Sequence, residues 1–345
     1  MFQRSWPHPH NLLQQTRRTN TIFEMTITMA IQQPTITHAT LARLSPEAPR
    51  TREILLDLFK RTGISNDFHW NGMDLHVKKK ALEIAKSWDL GLSDRDLDKY
   101  LTVGLVIAIS GYSHTPIETQ IAVALYTLCC TAADDNVMSN EILREFAPRF
   151  FDGREQLHPI LTHLVEELIV IRQQYSTFSG NAVTISTMDF FSAEMFLRDE
   201  GGSDLRVREA TEYVDYVRWK TGVGEAYAAL IWPQAMFPET KTYIQAMPDA
   251  IKFICLLNDV MSFYKEAKAG ETDNYVTQYG VVCGQSAIET LEGLVERLVE
   301  LDGRIKAVLG STPEQRAWEL FAAGYAEFHL YTPRYFLKDL LPEYY

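Results

Sequence analysis

The sequence predicts an all-α fold, a single domain of ten or more helices. Three observations lead there. Apolar residues recur at helical spacings from about residue 50 onward, turn punctuation is sparse, and no credible run of alternating apolar and polar residues reads as a strand. In order, Ile54, Leu55, Leu58 and Phe59 share one helical face, and Leu82, Ile84, Ala85 and Trp88 define the next. Ser93 followed by Asp94 and Asp96 reads as an N-cap with acids in the first turn. Leu291, Leu294, Val295, Leu298 and Leu301 repeat at spacings of three and four, as an amphipathic helix requires. Turns are expected at 113–116, 201–202, 233–238 and 310–313.

The chain has 345 residues, with 33 Lys and Arg against 45 Asp and Glu and a net charge of −12. That balance disfavours nucleic acid or an anionic membrane as the main partner, because both need a basic footprint. The longest apolar runs, 101–109 and 121–133, are shorter than the roughly 18–20 residues that span a bilayer, so no transmembrane helix is expected. Cys129, Cys130, Cys255 and Cys283 lie in apolar stretches without metal-type spacing and read as buried free thiols in a reducing, cytoplasmic setting. Residues 1–23 carry no acid, have arginine only at 4, 17 and 18, and lack an apolar secretory core. Residues 1–45 are read as a disordered extension, with translation from Met25 or Met29 and an organellar presequence as alternatives. The folded domain is placed at 46–345.

The sharpest chemical signal is Asn258-Asp259-Val260-Met261-Ser262-Phe263-Tyr264-Lys265-Glu266. Asn258, Ser262 and Glu266 stand at i, i+4 and i+8, one column on a helix with steps of about 6 Å. Amide, hydroxyl and carboxylate oxygens together suit Mg²⁺, and Lys265 adds a point charge beside them. The apolar lead-in at 251–257 marks the helix as buried, which argues against a solvated polar stripe. A second signal is Asp134-Asp135 at the end of a long apolar helix, where adjacent carboxylates oppose the helix dipole unless a cation neutralises them. A third is Arg334-Tyr335, both able to donate to phosphate oxygens. A fourth is Arg218, just before a glycine-bearing segment where a ligand could approach a thinned backbone. A surface role is the alternative for each alone. Together they describe a metal-bound diphosphate attached to an apolar group.

These stretches resemble the trichodiene synthase family of fungal class I sesquiterpene cyclases. The resemblance runs over residues 126–135, 152–159, 186–191, 218–233, 258–266 and Arg334-Tyr335, in the family's order, and covers over half of the chain. It implies the class I terpenoid-synthase helical bundle around a central active-site cavity. It also implies a carbon–oxygen lyase that uses three Mg²⁺ ions, with farnesyl diphosphate as substrate and a sesquiterpene hydrocarbon or alcohol as product. By the same resemblance Asp134, Asn258, Ser262 and Glu266 are metal ligands. Lys265, Arg334 and Tyr335 fall on diphosphate-contacting positions, and Arg218 on the diphosphate-sensing region, with Lys220 as its alternative. No side chain is expected to act as a dedicated acid, base or nucleophile. The family is often dimeric, so a homodimer is a possible assembly. The acids that usually follow the aspartate pair are missing: the chain reads Asp134-Asp135-Asn136-Val137-Met138, with Glu141 the next acid. That departure leaves the role of Asp135 open and motivates one rival, a diphosphate-binding relative without turnover. A chain-elongating prenyltransferase is the other, and it lacks its second aspartate-rich motif here.

Overall fold

A computed structural model of the protein describes residues 45–200 and 210–345. Among these residues are thirteen α-helices joined by short turns and 3₁₀ segments, and no strand. The first three are α1 (Ala48–Thr62), α2 (Leu75–Ser87) and α3 (Asp94–Gly111). Then come α4 (Ile117–Asp134), α5 (Asn140–Phe151), α6 (Pro159–Gln174) and α7 (Thr177–Glu200). After the undescribed 201–209 follow α8 (Thr211–Thr221), α9 (Gly224–Ala229), α10 (Met247–Ala269) and α11 (Tyr275–Cys283). The last two are α12 (Ala287–Leu309) and α13 (Pro313–Tyr331), followed by a 3₁₀ turn at Pro333–Tyr335. The expected extension at 1–45 lies outside the described residues save for Ser45, and so does the expected turn at 201–202.

Local chemistry starts and stops these helices. The Ser93 hydroxyl accepts the Asp96 N–H at 3.1 Å at the head of α3. Ser286 and Glu289 exchange side-chain and backbone bonds as a capping box on α12. α10 ends where Gly270 takes the left-handed conformation, φ 72°, that a side chain would resist.

The helices α3, α4, α10 and α13 make up the centre. From Thr119 to Ala133 every residue of α4 except Thr131 is buried, so this helix has no solvent face and reads as a nearly continuous apolar run. α12 shows the opposite pattern: its leucine stripe at 291, 294, 298 and 301 is buried, as its spacing predicts. Two glycines set how closely the central rods approach. A Cβ on Gly104 of α3 would lie 2.1 Å from the Ala124 carbonyl oxygen of α4. A Cβ on Gly324 of α13 would lie 2.0 Å from that of Ser110 on α3. Backbone meets backbone at both crossings, which fixes α4 and α13 on either side of α3.

Two expectations are corrected. The buried face of α2 is Val77, Ala81 and Ala85, at strict i+4 spacing, and Ile84 is exposed. Cys283 is exposed as well, because it is the last residue of α11 before the chain turns at Gly284, whereas Cys129, Cys130 and Cys255 are buried and all four are free. No described helix is long and apolar enough to cross a membrane.

Gly324→Ala should destabilise the protein by more than about 2 kcal/mol in urea unfolding, because the clash with the Ser110 backbone exceeds the helix-propensity gain of about 1 kcal/mol. Gly293→Ala on the exposed side of α12, where a Cβ meets nothing within 4 Å, should instead gain about 0.5–1 kcal/mol.

Glu167 on α6 is 6% exposed, and its Oε2 has no hydrogen-bond partner. Burial pushes its carboxyl from the ordinary 4.5 up to about 7. Between those two values the folded chain binds more protons than the unfolded one, so this group makes stability fall as pH rises through that window. Glu167→Gln should flatten the decline measured by urea unfolding, by at most on the order of 3 kcal/mol between about pH 4.5 and 8.

Candidate active site

Helices α3, α4, α7, α8, α9, α10 and α13 surround one cavity with about 230 Å³ of accessible space. All eight residues singled out from the sequence line it: Asp134, Arg218, Asn258, Ser262, Lys265, Glu266, Arg334 and Tyr335. Asp134 closes α4, and the column of Asn258, Ser262 and Glu266 runs along α10. Arg334 and Tyr335 come from the 3₁₀ turn after α13, and Arg218 from the last turn of α8. The rest of the wall is largely apolar or aromatic, including Val103, Ile107, Phe190, Tyr325 and Phe328. Thr127 and Tyr227 hydroxyls pair at 3.0 Å within that wall.

Burial dominates the electrostatics. It pushes the Asp134 carboxyl above its ordinary value, while Arg334 and Lys265 oppose and Asp135 adds to the rise. It pushes Glu266 up as well, opposed by the Ser262 hydroxyl and Lys265. Asp134 is walled in by protein yet open to solvent through the cavity, Glu266 is 13% exposed, and two carboxylates on one cavity are less costly as anions when a cation joins them. The donor atoms on offer are all hard oxygens, from two carboxylates, one amide and one hydroxyl, which fits Mg²⁺ rather than a soft metal. Among the described residues no group of three His, Cys, Asp or Glu stands together as a metal cluster. Lys265, Arg334 and Arg218 supply positive charge on the same walls, as a polyanion requires.

The structure separates alternatives that adjacent residues left open. Asp135 caps α4 outside the cavity wall, ion-paired with Lys99 and 3.8 Å from Arg334. Glu141 is exposed in the first turn of α5. Lys220 pairs with Asp189 at 2.6 Å and lines a different cleft. Arg218 is 13% exposed and held by three acceptors of α10. Its Nε donates to Asp259 at 2.8 Å, and its Nη2 to the Cys255 carbonyl at 3.0 Å and to Asn258 Oδ1 at 3.1 Å. Asp259, 10% exposed, is pushed up by burial and drawn back by that guanidinium.

Several contributors escaped the sequence reading. Asp259 stood inside the quoted motif, and an acid on a buried helix was the available signal. Arg198 of α7 donates to the Ala133 carbonyl at 2.6 Å and to the Met138 carbonyl at 3.2 Å, satisfying the end of α4 beside Asp134. Its neighbour Glu194 is pushed up to about 7 by burial, with Asp134 adding to the effect. His329 of α13, 0% exposed, reaches Asn258, and burial pushes its imidazole down to about 3. A lone histidine in an apolar helix was its only mark.

Arg218→Met should destabilise the fold by about 3–5 kcal/mol in urea unfolding, because Asp259 is left buried and uncompensated. Pairing it with Asp259→Asn should recover part of that loss.

Comparison with known proteins yields the following. The family model described as Trichodiene synthase (TRI5) matches residues 86–344. Monoterpene synthase 25 of Postia placenta is 34% identical over 271 residues, covering 78% of this chain and 80% of that protein. Alpha-cuprenene synthase COP6 of Coprinopsis cinerea is 30% identical over 302 residues, covering 85% and 90%. The crystal structure of linalool/nerolidol synthase from Streptomyces clavuligerus superposes with a TM-score of 0.59 at 13% identity, over 76% of this chain and 99% of that one. At that identity the likeness shows the fold alone, which is the all-α class I terpene synthase bundle.

Proposed function

We propose a specific reaction for this chain, which belongs to the trichodiene synthase family of terpene synthases and is a lyase of that type: it ionises farnesyl diphosphate with Mg²⁺ and cyclises the resulting cation, with residues 46–345 as the catalytic domain. The observation that carries the reading is the shared cavity. It joins the acid at the end of α4, the oxygen column of α10 and three cationic side chains to an apolar wall.

Asp134, Asn258, Ser262 and Glu266 are assigned to hold the metal, with three ions expected. Bound Mg²⁺ would supply Lewis acidity toward the diphosphate oxygens. Lys265, Arg334 and Tyr335 are assigned to donate to the same oxygens, and Arg218 to sense them from its anchorage on Asp259. Charge grows on the diphosphate as the allylic C–O bond breaks and the electron pair leaves with it. Preplaced cations and donors stabilise that growth without reorganising. Val103, Ile107, Phe190 and Phe328 would fold the isoprenoid chain and exclude water that otherwise quenches the cation. The aromatic faces of Tyr227, Tyr325 and Phe328 would lower passing carbocations by roughly 0.5–2 kcal/mol per contact. A proton is then lost, and the departed diphosphate is the proposed acceptor.

Chain length is the open variable of this proposal, since a relative named as a monoterpene synthase stands beside one named for cuprenene. The test is incubation of the purified chain and Mg²⁺ with farnesyl or geranyl diphosphate, followed by gas chromatography with mass detection. A cyclised C15 product at the higher kcat/KM is expected, with turnover lost in EDTA. Asp134→Asn and Glu266→Gln should each lower kcat/KM by about 100-fold or more, while Asp135→Asn should do so far less. Preference for geranyl diphosphate would overturn the chain length alone. Full turnover in EDTA, or in Glu266→Gln, would overturn the metal assignment.

A further inference from the structure

The Asn258 side chain has one oxygen and one nitrogen, and only the oxygen can serve a cation. An unrestrained amide presents either. In this fold the choice is made by a chain of groups anchored at both ends by atoms with a single hydrogen-bonding role. At one end is the Tyr325 carbonyl, which can only accept. It lies 2.7 Å from His329 Nδ1, so Nδ1 carries a proton. At the other end is the Arg218 guanidinium, which can only donate. Its Nη2 lies 3.1 Å from one atom of the Asn258 amide, so that atom is Oδ1. The remaining amide atom, Nδ2, is a donor and sits 3.0 Å from His329 Nε2, so Nε2 is a bare lone pair. Every member then has a complementary neighbour. With the amide turned over, Nδ2 would face the guanidinium, donor against donor.

We propose that His329 is a positioning residue for Asn258: its Nε2 lone pair ties down Nδ2, and Oδ1, which accepts from Arg218 with one lone pair, has its other to offer the cation. The inference rests on the metal reading of the α10 column. His329 itself is placed with little freedom. It is fully buried, and its ring is wedged among Tyr325, Phe328 and Tyr335 at centroid distances of 4.8, 4.8 and 4.7 Å. The Nδ1 bond to the carbonyl four residues back selects the tautomer, as second-sphere partners do for metal-binding side chains. The carbonyl it uses belongs to the same helix turn, so α13 carries the orienting group and α10 the ligand.

The experiment compares the full chain with His329→Phe, which keeps a ring but has no acceptor, and His329→Gln, whose Oε1 can replace Nε2. Mg²⁺ is titrated calorimetrically in the presence of inorganic diphosphate. His329→Phe should bind Mg²⁺ about 10–100-fold more weakly and His329→Gln should return to within about threefold of the parent. The double variant Asn258→Ala/His329→Phe should bind no more weakly than Asn258→Ala alone. A folded His329→Phe with parental Mg²⁺ affinity, or additive losses in the double variant, would overturn the inference. Failure of the parent chain to bind Mg²⁺ with diphosphate would overturn the metal reading beneath it instead. Nitrogen-15 spectra of the histidine-labelled parent chain need no folded variant: a neutral His329 protonated at Nδ1 is expected, and protonation at Nε2 would overturn the assignment.

Discussion

Two carboxylates, Asp134 at the solvent-open end of α4 and Glu266, 13% exposed on α10, face one cavity, and most of the site can be understood as an answer to that. Neither has a guanidinium locked onto it, in contrast to Asp259, whose charge is met by Arg218 at 2.8 Å. The protein thus treats the acids around this site in two ways. One is neutralised within the fold and holds an arginine in place. The others are met less closely, Glu266 by the Lys265 ammonium at 3.7 Å and Asp134 by solvent. An anion arriving with divalent cations would meet both the acids and the loosely paired Lys265 and Arg334 beside them.

The rigidity of that arrangement comes from the helix packing. Gly104 and Gly324 allow backbone-to-backbone approach of α4 and α13 on α3, so the end of α4 has little freedom to drift from the turn that bears Arg334 and Tyr335. Arg198 adds a second restraint, because from α7 it bonds the Ala133 carbonyl of α4 and the Met138 carbonyl just beyond that helix. The end of α4 and the oxygen column of α10 are therefore presented by rods whose spacing is set by contact. The loops between the rods have little part in it. The polar network of Arg218, Asn258 and His329 is satisfied at every atom named, the condition under which a buried network orders a site rather than weakening it.

Within a single helix, sequence spacing was sufficient for the oxygen column and the leucine stripe, though not for the buried face of α2. The column of Asn258, Ser262 and Glu266 needs only the pitch of the helix to be recognised, and the leucine stripe of α12 likewise. Choices between near neighbours were not legible. Adjacent residues on a helix point about 100° apart, so only one of Asp134 and Asp135 lines the cavity, and the other turns to Lys99. The same geometry gives Arg218 to the cavity wall and Lys220 to Asp189. Ile84, placed on a helical face by its spacing, and Cys283, placed in the core by its apolar stretch, are exposed, the first because α2 turns it outward and the second because α11 ends there.

What the chain alone determined is its helical class, the oxygen column on one buried helix and the kinship those residues carry, since each depends on short-range periodicity and on residue type. Which acid faces inward, which arginine is held and by what, and that a histidine from α13 orients an amide on α10 were decided only by tertiary structure. Those facts depend on the rotation and separation of helices distant in sequence, and that geometry follows from packing of the whole core.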